Sequence, residues 1–561
     1  MEEKVLQFDN GIQRYRSIAE KHAENNDFVG ALGFLFSALK LERNPSVITD
    51  IADIYADMAL YELSNQYWFY YLDIVSEDKK GVAYEELAIN YFYMGNILAS
   101  GYYFHLKIEA DGYIRQEGLD PEILDFFSEE EHKRKLYRVA YPFDRADYSF
   151  IMERAKKAVV AGDYDKAVLL YSSIPEGAPE YYDAVAELSV AKFLADDVDD
   201  AITSGKKLVK ELGESVSVCC NLSSMYAFKG DKEKSRYYYS RALSLQPKTL
   251  EDRYKLATCS LENEEHSTGI KYLDEVLKER NNDVVMRLFS GIARINVGDY
   301  DGAERELSTV LKIDPFNSNY KYYFDLAIKL KNGGSAGRLL PLKYLAIVPQ
   351  SVEKARVKKI KALYEQDYKK IRSELKKEQV VELLKWGLAE TDPPICKLCV
   401  LILAKAECKI ADKILSQALM NSQIEPDVKR VIIYVLIVSG NKERHGVVAR
   451  SFYFYFKPKK LPCEKDEKGT LYFHAYATCM SRMIFVDGDC LDKLAFSTDK
   501  VYKALGDIYD NTLATKDEMA ALIVSITKTD RKLTDKDICA IFNVDKEKFK
   551  MLKESYDASK N

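Results

Sequence analysis

Residues Val216–Pro247, VSVCCNLSSMYAFKGDKEKSRYYYSRALSLQP, decide the fold. The stretch divides at Gly230-Asp231. Before that pair, small Ser223 stands three residues ahead of Tyr226; after it, Ser235, Tyr239, Ala242, Leu243 and Leu245 recur at helical spacing until Pro247 stops them. Two helices pack closely only where small residues let their backbones approach and a large apolar residue fills the gap beside them. Glycine supplies the left-handed turn between them, and the aspartate caps the next helix. The stretch therefore reads as one antiparallel helical hairpin.

The same pattern recurs on both sides. Ala167, Ala201, Ser235, Gly269 and Ala303 stand 34 residues apart, each in the same local context. Gly162-Asp163-Tyr164 and Gly298-Asp299-Tyr300 repeat the turn, while Pro175 and Pro315 repeat the stop. A fixed period of this length marks stacked hairpins, each leaning on the next. These small, aromatic, Gly-Asp-Tyr and proline spacings resemble the tetratricopeptide repeat family. Eight repeats are placed, beginning near Ile12, Pro45, Gly81, Tyr148, Tyr182, Val216, Leu250 and Val284. The first three are less regular, with Ala31, Ser64 and Ser100 as small residues and Leu35, Trp68 and Phe104 as packing partners.

Around this core the chain divides as follows. Residues 1–108 hold N-terminal repeats; 109–147 form an irregular helical insertion, read as an extra helix pair or a long connection; 148–330 hold the regular repeats. Residues 331–352, opening with KNGGSAG, read as a glycine-containing linker. Residues 353–445 follow, first as one long basic amphipathic helix to Lys377 and then as helices started at Pro393 and Pro426. Those paired apolar helices resemble HEAT-type repeats. Residues 446–515 are mixed, and GVVARSFYFYF (446–456) is β-branched and aromatic enough for a short strand or hairpin. Residues 516–561 resemble a helix-turn-helix. The fold class expected is all-α: a superhelical repeat solenoid, then a second mostly helical, HEAT-like domain with room for a short β hairpin.

Composition narrows the function. The formal charge of −6 in 561 residues does not point to nucleic acid. MEEKVLQFDN lacks a basic-then-apolar signal, and the most apolar run, Val431–Val438, is too short to span a bilayer. Ten cysteines in so long a chain suit a reducing cytoplasm. Cys396 and Cys399 have the spacing of half a zinc site, but no second such pair follows, and core thiols are the better reading. No nucleophile motif or phosphate loop is present, so no catalytic residue, metal or cofactor is expected. An enzyme within 447–490 is the remotest reading.

The resemblance implies a groove lined by the first helix of each repeat. Carried onto this chain, those positions are acidic in the early repeats (Glu20, Glu24, Asp50, Asp53, Asp57, Glu85, Glu86). They are apolar in the later ones (Val190, Phe193, Leu194, Ala227, Phe228, Leu288, Phe289, Ile292, Ile295). Such a groove suits a protein or peptide with basic and hydrophobic anchors; the alternative is that part of the apolar set packs against the next repeat or against the C-terminal half. Asn221 and Lys255 match two positions of the carboxylate clamp in chaperone-binding members, but Ala186, Val190 and Glu251 break the set. The expected protein-binding residues are Glu20, Asp53, Glu86, Val190, Phe193, Asn221, Phe228, Lys255, Phe289 and Ile292.

The leading expectation is a non-enzymatic cytoplasmic scaffold binding a peptide or protein segment in that groove. The alternative is a repeat-containing regulator that binds nucleic acid through the tail. There Lys546, Lys548 and Lys550 face Glu547 and Glu554, with no Arg, Asn or Gln to read bases.

Overall fold

The computed structural model describes residues 2–113, 115, 118–131, 148–160, 164–174, 181–195, 197–212, 214–344, 346–389, 393–449, 451–461, 469–529 and 533–559. Contacts divide the chain into two units: one joins residues 1–143 to 355–561, and the other is 144–354. Among the described residues no helix is long and apolar enough to cross a membrane.

In the first unit, three helix pairs open the chain: α1 (Glu2–Glu24) with α2 (Phe28–Leu41), α3 (Pro45–Asp57) with α4 (Tyr61–Ile74), and α5 (Gly81–Tyr93) with α6 (Ile97–Asp111). A seventh helix, α7 (Pro121–Glu131), packs on α6 and occupies part of the expected insertion. The basic run 132–135 lies outside the described residues.

The second unit is the regular solenoid. Its pairs are α8 (Tyr148–Val160) with α9 (Tyr164–Ser172), α10 (Tyr181–Leu194) with α11 (Val198–Leu212), and α12 (Val216–Phe228) with α13 (Lys232–Ser244). Next come α14 (Leu250–Glu262) with α15 (His266–Glu279), and α16 (Val284–Val297) with α17 (Tyr300–Ile313). A single helix, α18 (Ser318–Lys331), closes the stack against α17.

The small residues act as the pattern requires. Ser189 donates its hydroxyl to the Ala201 carbonyl (3.1 Å), and Ser223 to the Ser235 carbonyl (3.0 Å), bridging the two helices of successive repeats at equivalent places. In the third repeat Ser100 donates to the Ala88 carbonyl (2.7 Å), the reverse direction across the same gap. The turns also follow the reading. Gly298 has φ +82° and Asp299 accepts from the Gly302 amide (2.9 Å); Gly230 has φ +79° and Asp231 accepts from Lys234 (3.0 Å).

Among the described residues, the rest of the first unit is helical apart from one hairpin. The basic stretch is not one helix. It is α19 (Gln350–Tyr364) and α20 (Tyr368–Glu374), because Asp367 accepts from the Lys369 and Lys370 amides and caps a new start. Its two arginines are used internally: Arg356 lies over the Trp386 ring, and Arg372 caps the carbonyls of Ala406 and Glu407. Then follow α21 (Glu378–Ala389), α22 (Pro393–Ala406), α23 (Lys409–Met420) and α24 (Pro426–Val438), the last with proline in its first turn as expected.

The hairpin forms where the β-branched and aromatic run lies. β1 (His445–Ala449) pairs antiparallel with β2 (Phe452–Phe456), with Val447 opposite Phe454. After it come α25 (Thr470–Met483), α26 (Leu491–Leu505) and α27 (Lys516–Ile526), then α28 (Asp535–Phe542) and α29 (Lys546–Ala558).

Within this unit the N-terminal repeats and the hairpin are one packed body. The Tyr103 hydroxyl donates to the Ser451 carbonyl (2.9 Å) and accepts from the Tyr453 amide (3.2 Å). Asp73 receives Arg444 and the Tyr453 hydroxyl, each at 3.1 Å. The Gln66 amide donates to the Met420 carbonyl (2.8 Å) and accepts from Ser422 (3.1 Å). Lys429 is fully buried on α24. Its ammonium donates to the Asn421 carbonyl (2.6 Å) and to the Val448 carbonyl, tying a helix connection to β1.

Candidate functional site

The groove residues fall into two sets, one in each unit. In the first unit, Glu20 and Asp53 are exposed and Glu86 is half-buried. Much of the acid there is already matched by the chain's own cations. Arg16 holds Asp50 with two hydrogen bonds (2.5 and 2.9 Å), and Lys107 sits between Glu85 (2.9 Å) and Asp111 (2.5 Å). Arg115 reaches Glu85 (3.0 Å) and Glu86 (2.8 Å).

Crowding by the helices around it, then the neighbouring Glu86, Asp50 and Asp57, push the Asp53 carboxyl up to about 7, although the residue is exposed and water screens part of that push. Burial also raises Glu86, against the pull of Arg115. A carboxyl raised in the fold is charged more readily in the unfolded chain, so stability falls as pH rises from about 4 to 7. Asp53→Asn removes that penalty. The variant's stability should be flatter than wild type over that window and higher at pH 7–8, followed by thermal unfolding in parallel buffers. Identical pH profiles would show that solvent screens the cluster completely.

In the second unit, Val190, Phe193, Asn221, Lys255 and Phe289 are all half-buried, and Ile292 is fully buried. The side chain of Phe228 lies outside the described residues. Phe193 packs against the cluster of Ala201, Ile202, Leu222, Met225 and Tyr226. Asn221 lines a cavity of about 50 Å³ with Ser189, Gly205, Ser217, Val218, Leu222 and Met225. That volume suits a few water molecules, not a cofactor.

At the far end, part of the apolar face is covered by the chain itself, by a segment after α18 rather than by the next repeat or the C-terminal half. Leu342, 3 % exposed, joins Leu288, Ile292, Ile295, Ala327 and Leu330 in one cluster. Ile292 therefore lies beneath a covering segment. The segment returns after α18, inside the stretch read as a linker. Asn296, one helical turn past Ile292, fixes its backbone: Oδ1 accepts from the Leu342 amide (2.7 Å), and Nδ2 donates to the Leu342 carbonyl (2.9 Å).

Tyr344 fills a second place. Its ring meets Phe289 edge-on (6.1 Å, 77°) and lies 5.8 Å from the His266 ring. Its hydroxyl is 2.5 Å from His266 Nδ1 and accepts from Asn296 Nδ2 (3.1 Å). Burial holds His266 below its ordinary pKa, and a neutral ring can accept the phenol proton. Burial pushes the Tyr344 phenol up to about 12, so it remains a donor. Further on, Tyr323 donates to the Ile347 carbonyl (2.7 Å). Between buried Leu342 and half-buried Tyr344, Lys343 is exposed, giving the inward-outward alternation of extended chain.

Sequence reasoning missed Asn296, Leu342 and Tyr344. The available signals were weak: an amide two turns beyond Phe289, and an apolar-polar-aromatic triplet after a glycine-rich break.

Elsewhere the chemistry-bearing residues are interior. Cys396 and Cys399 are buried in α22, and burial pushes the Cys399 thiol up to about 12. Among the described residues no group of three or more His, Cys, Asp or Glu is placed to hold a metal. In the tail, Lys548 pairs with Glu518 (3.5 Å), Lys550 with Glu554 (3.9 Å) and Lys553 with Asp535 (2.8 Å). Phe549, Leu552 and Tyr556 are buried.

Residues 216–249 match the tetratricopeptide repeat model. The chain is 24% identical over 279 residues to the TPR repeat-containing protein YvcD of Bacillus subtilis (strain 168), covering 48% of this chain. It spans about half of that relative, 54% of its length. Among solved structures, a tetratricopeptide repeat protein from Parabacteroides merdae ATCC 43184 is 10% identical, covering 57% of this chain and 99% of that one, at a TM-score of 0.28. Yeast Tom70 is 12% identical, covering 77% and 89%, at 0.23.

Proposed function

We propose that this tetratricopeptide-repeat protein is a non-enzymatic cytoplasmic scaffold that binds a protein or peptide segment along the first-helix face of its regular repeats. One observation carries the reading: the α16 part of that face accepts polypeptide, held through its backbone by Asn296 and through side-chain places beside Phe289 and above Ile292. The half-buried Val190, Phe193, Asn221 and Lys255 extend the same face through α10, α12 and α14. Stacked helical hairpins serve recognition far more often than chemistry. The paired tail lysines favour a packed helical end over a phosphate-binding surface.

The test is selection of a random peptide library on the full chain, followed by hydrogen exchange. Bound peptide should protect α10, α12 and α14, and Phe193→Glu should weaken capture at least tenfold with the helical circular dichroism intact. Protection confined to other helices, or capture untouched by Phe193→Glu, would reject this face.

A further inference from the structure

The returning segment is more than a covered surface; it shows which chemistry the far end of the groove recognises. Asn296 presents a donor and an acceptor to one residue's N–H and C=O, so it reads extended backbone and requires a residue other than proline there. One side chain at that residue sinks among Leu288, Ile292 and Ile295, a place for a branched apolar group. Two residues on, an aromatic ring meets Phe289, and its hydroxyl bridges His266 and Asn296. A phenylalanine there would leave Nδ1 of His266 without this donor, and a phosphate on the oxygen would abolish the donated hydrogen bond. The residue between faces solvent and is unrestricted.

We propose that the Phe289–Asn296 face binds, in trans, an extended peptide of a partner protein with an apolar residue and an unmodified tyrosine two positions later, in competition with Leu342 and Tyr344. This rests on the groove reading above and specifies its ligand. The internal segment holds the advantage of tethering, which corresponds to an effective concentration of about millimolar for short connections. A free peptide therefore meets a filled site in the wild-type chain and an open one when the internal anchors are removed. A physiological partner would prevail by adding contacts further along the groove.

The experiment uses the full chain and a fluorescent, lysine-tagged synthetic peptide carrying the sequence of residues 339–349. Binding is read by anisotropy. The double variant Leu342→Ser/Tyr344→Ser should bind it at least tenfold more tightly than wild type. Adding Asn296→Ala should cancel that gain, and a phosphotyrosine version should bind neither chain. Should Leu342→Ser disturb the fold by circular dichroism, Tyr344→Ser alone, which empties one place only, should still bind more tightly than wild type. Equal affinity of wild type and opened variants, or binding by neither, overturns the proposal. If library-selected peptides still protect α10 and α12 when this peptide fails, only the ligand chemistry is wrong. If they do not, the groove reading itself falls.

Discussion

Replacing Gly291 by valine should destabilise the α16–α17 pair by about 3 kcal/mol, the upper part of the range for overfilling a packed core. A Cβ built at Gly291 would lie 2.6 Å from Leu307 Cγ and 2.8 Å from its Cδ2. Leu307 is fully buried, so it has nowhere to retreat. Two effects oppose each other in Gly291→Ala. The new methyl group crowds Leu307, while alanine favours the helix by about 1 kcal/mol over glycine. Valine adds two further carbons and gives back most of that helical advantage. The opening free energy from native-state hydrogen exchange across Val284–Ile313 reports the result. A loss under about 1 kcal/mol would mean that the helices do not depend on this close approach. Leu307→Ala in the valine background should recover part of the loss, since the two sites share one space.

The second large effect concerns Lys429. Burial lowers its ammonium from the usual 10.5 to about 7, with Glu425 pulling weakly the other way. Below about pH 7 the lysine is charged in both folded and unfolded chains, so its full cost is present. Between about 7 and 10.5 the unfolded chain binds the extra proton, so this group's contribution to stability rises with pH. The shift corresponds to on the order of 5 kcal/mol. Lys429→Met keeps the volume and removes the titration. The stability of wild type minus variant should therefore climb by a few kcal/mol from pH 7 to 10. A difference that stays constant would show that the two carbonyl acceptors keep the ammonium charged throughout. Subtracting the variant cancels the cysteines and tyrosines, which also titrate in alkali.

The periodic residues made the solenoid readable. Ser189, Ser223, Gly291 and the Gly-Asp turns each act locally, within one hairpin, and local packing leaves a repeating mark on sequence. The hairpin at 445–456 was legible for the same reason, since β-branched and aromatic runs have a local preference. The break between α19 and α20 was not, because a basic run hides an aspartate that caps rather than continues a helix. The groove positions were legible only as positions. Phe289 and Ile292 sit on the helix carrying that face, yet nothing nearby says that Leu342, some 50 residues on, lies over them. Asn296 shows why: a single amide pairing with backbone needs no partner side chain, so no complementary residue advertises it. Arg115 was missed likewise, as one cation beyond a glycine turn that returns to Glu85 and Glu86.

The hydrogen bonds joining Gln66, Asp73 and Tyr103 with residues 420–453 have a consequence for how the polypeptide is made. Residues 1–143 leave the ribosome with those groups bare, and 276 further residues, 144–419, must follow before the complementary stretch begins to emerge. At roughly 5–20 residues per second that interval is some tens of seconds. During it the inner repeats can complete themselves, while the opening ones wait with apolar and polar surface uncovered. A nascent chain is thus exposed to chaperones and proteases at its beginning rather than its end. A fragment stopped before the hairpin would remain in that waiting condition, whatever its intrinsic activity.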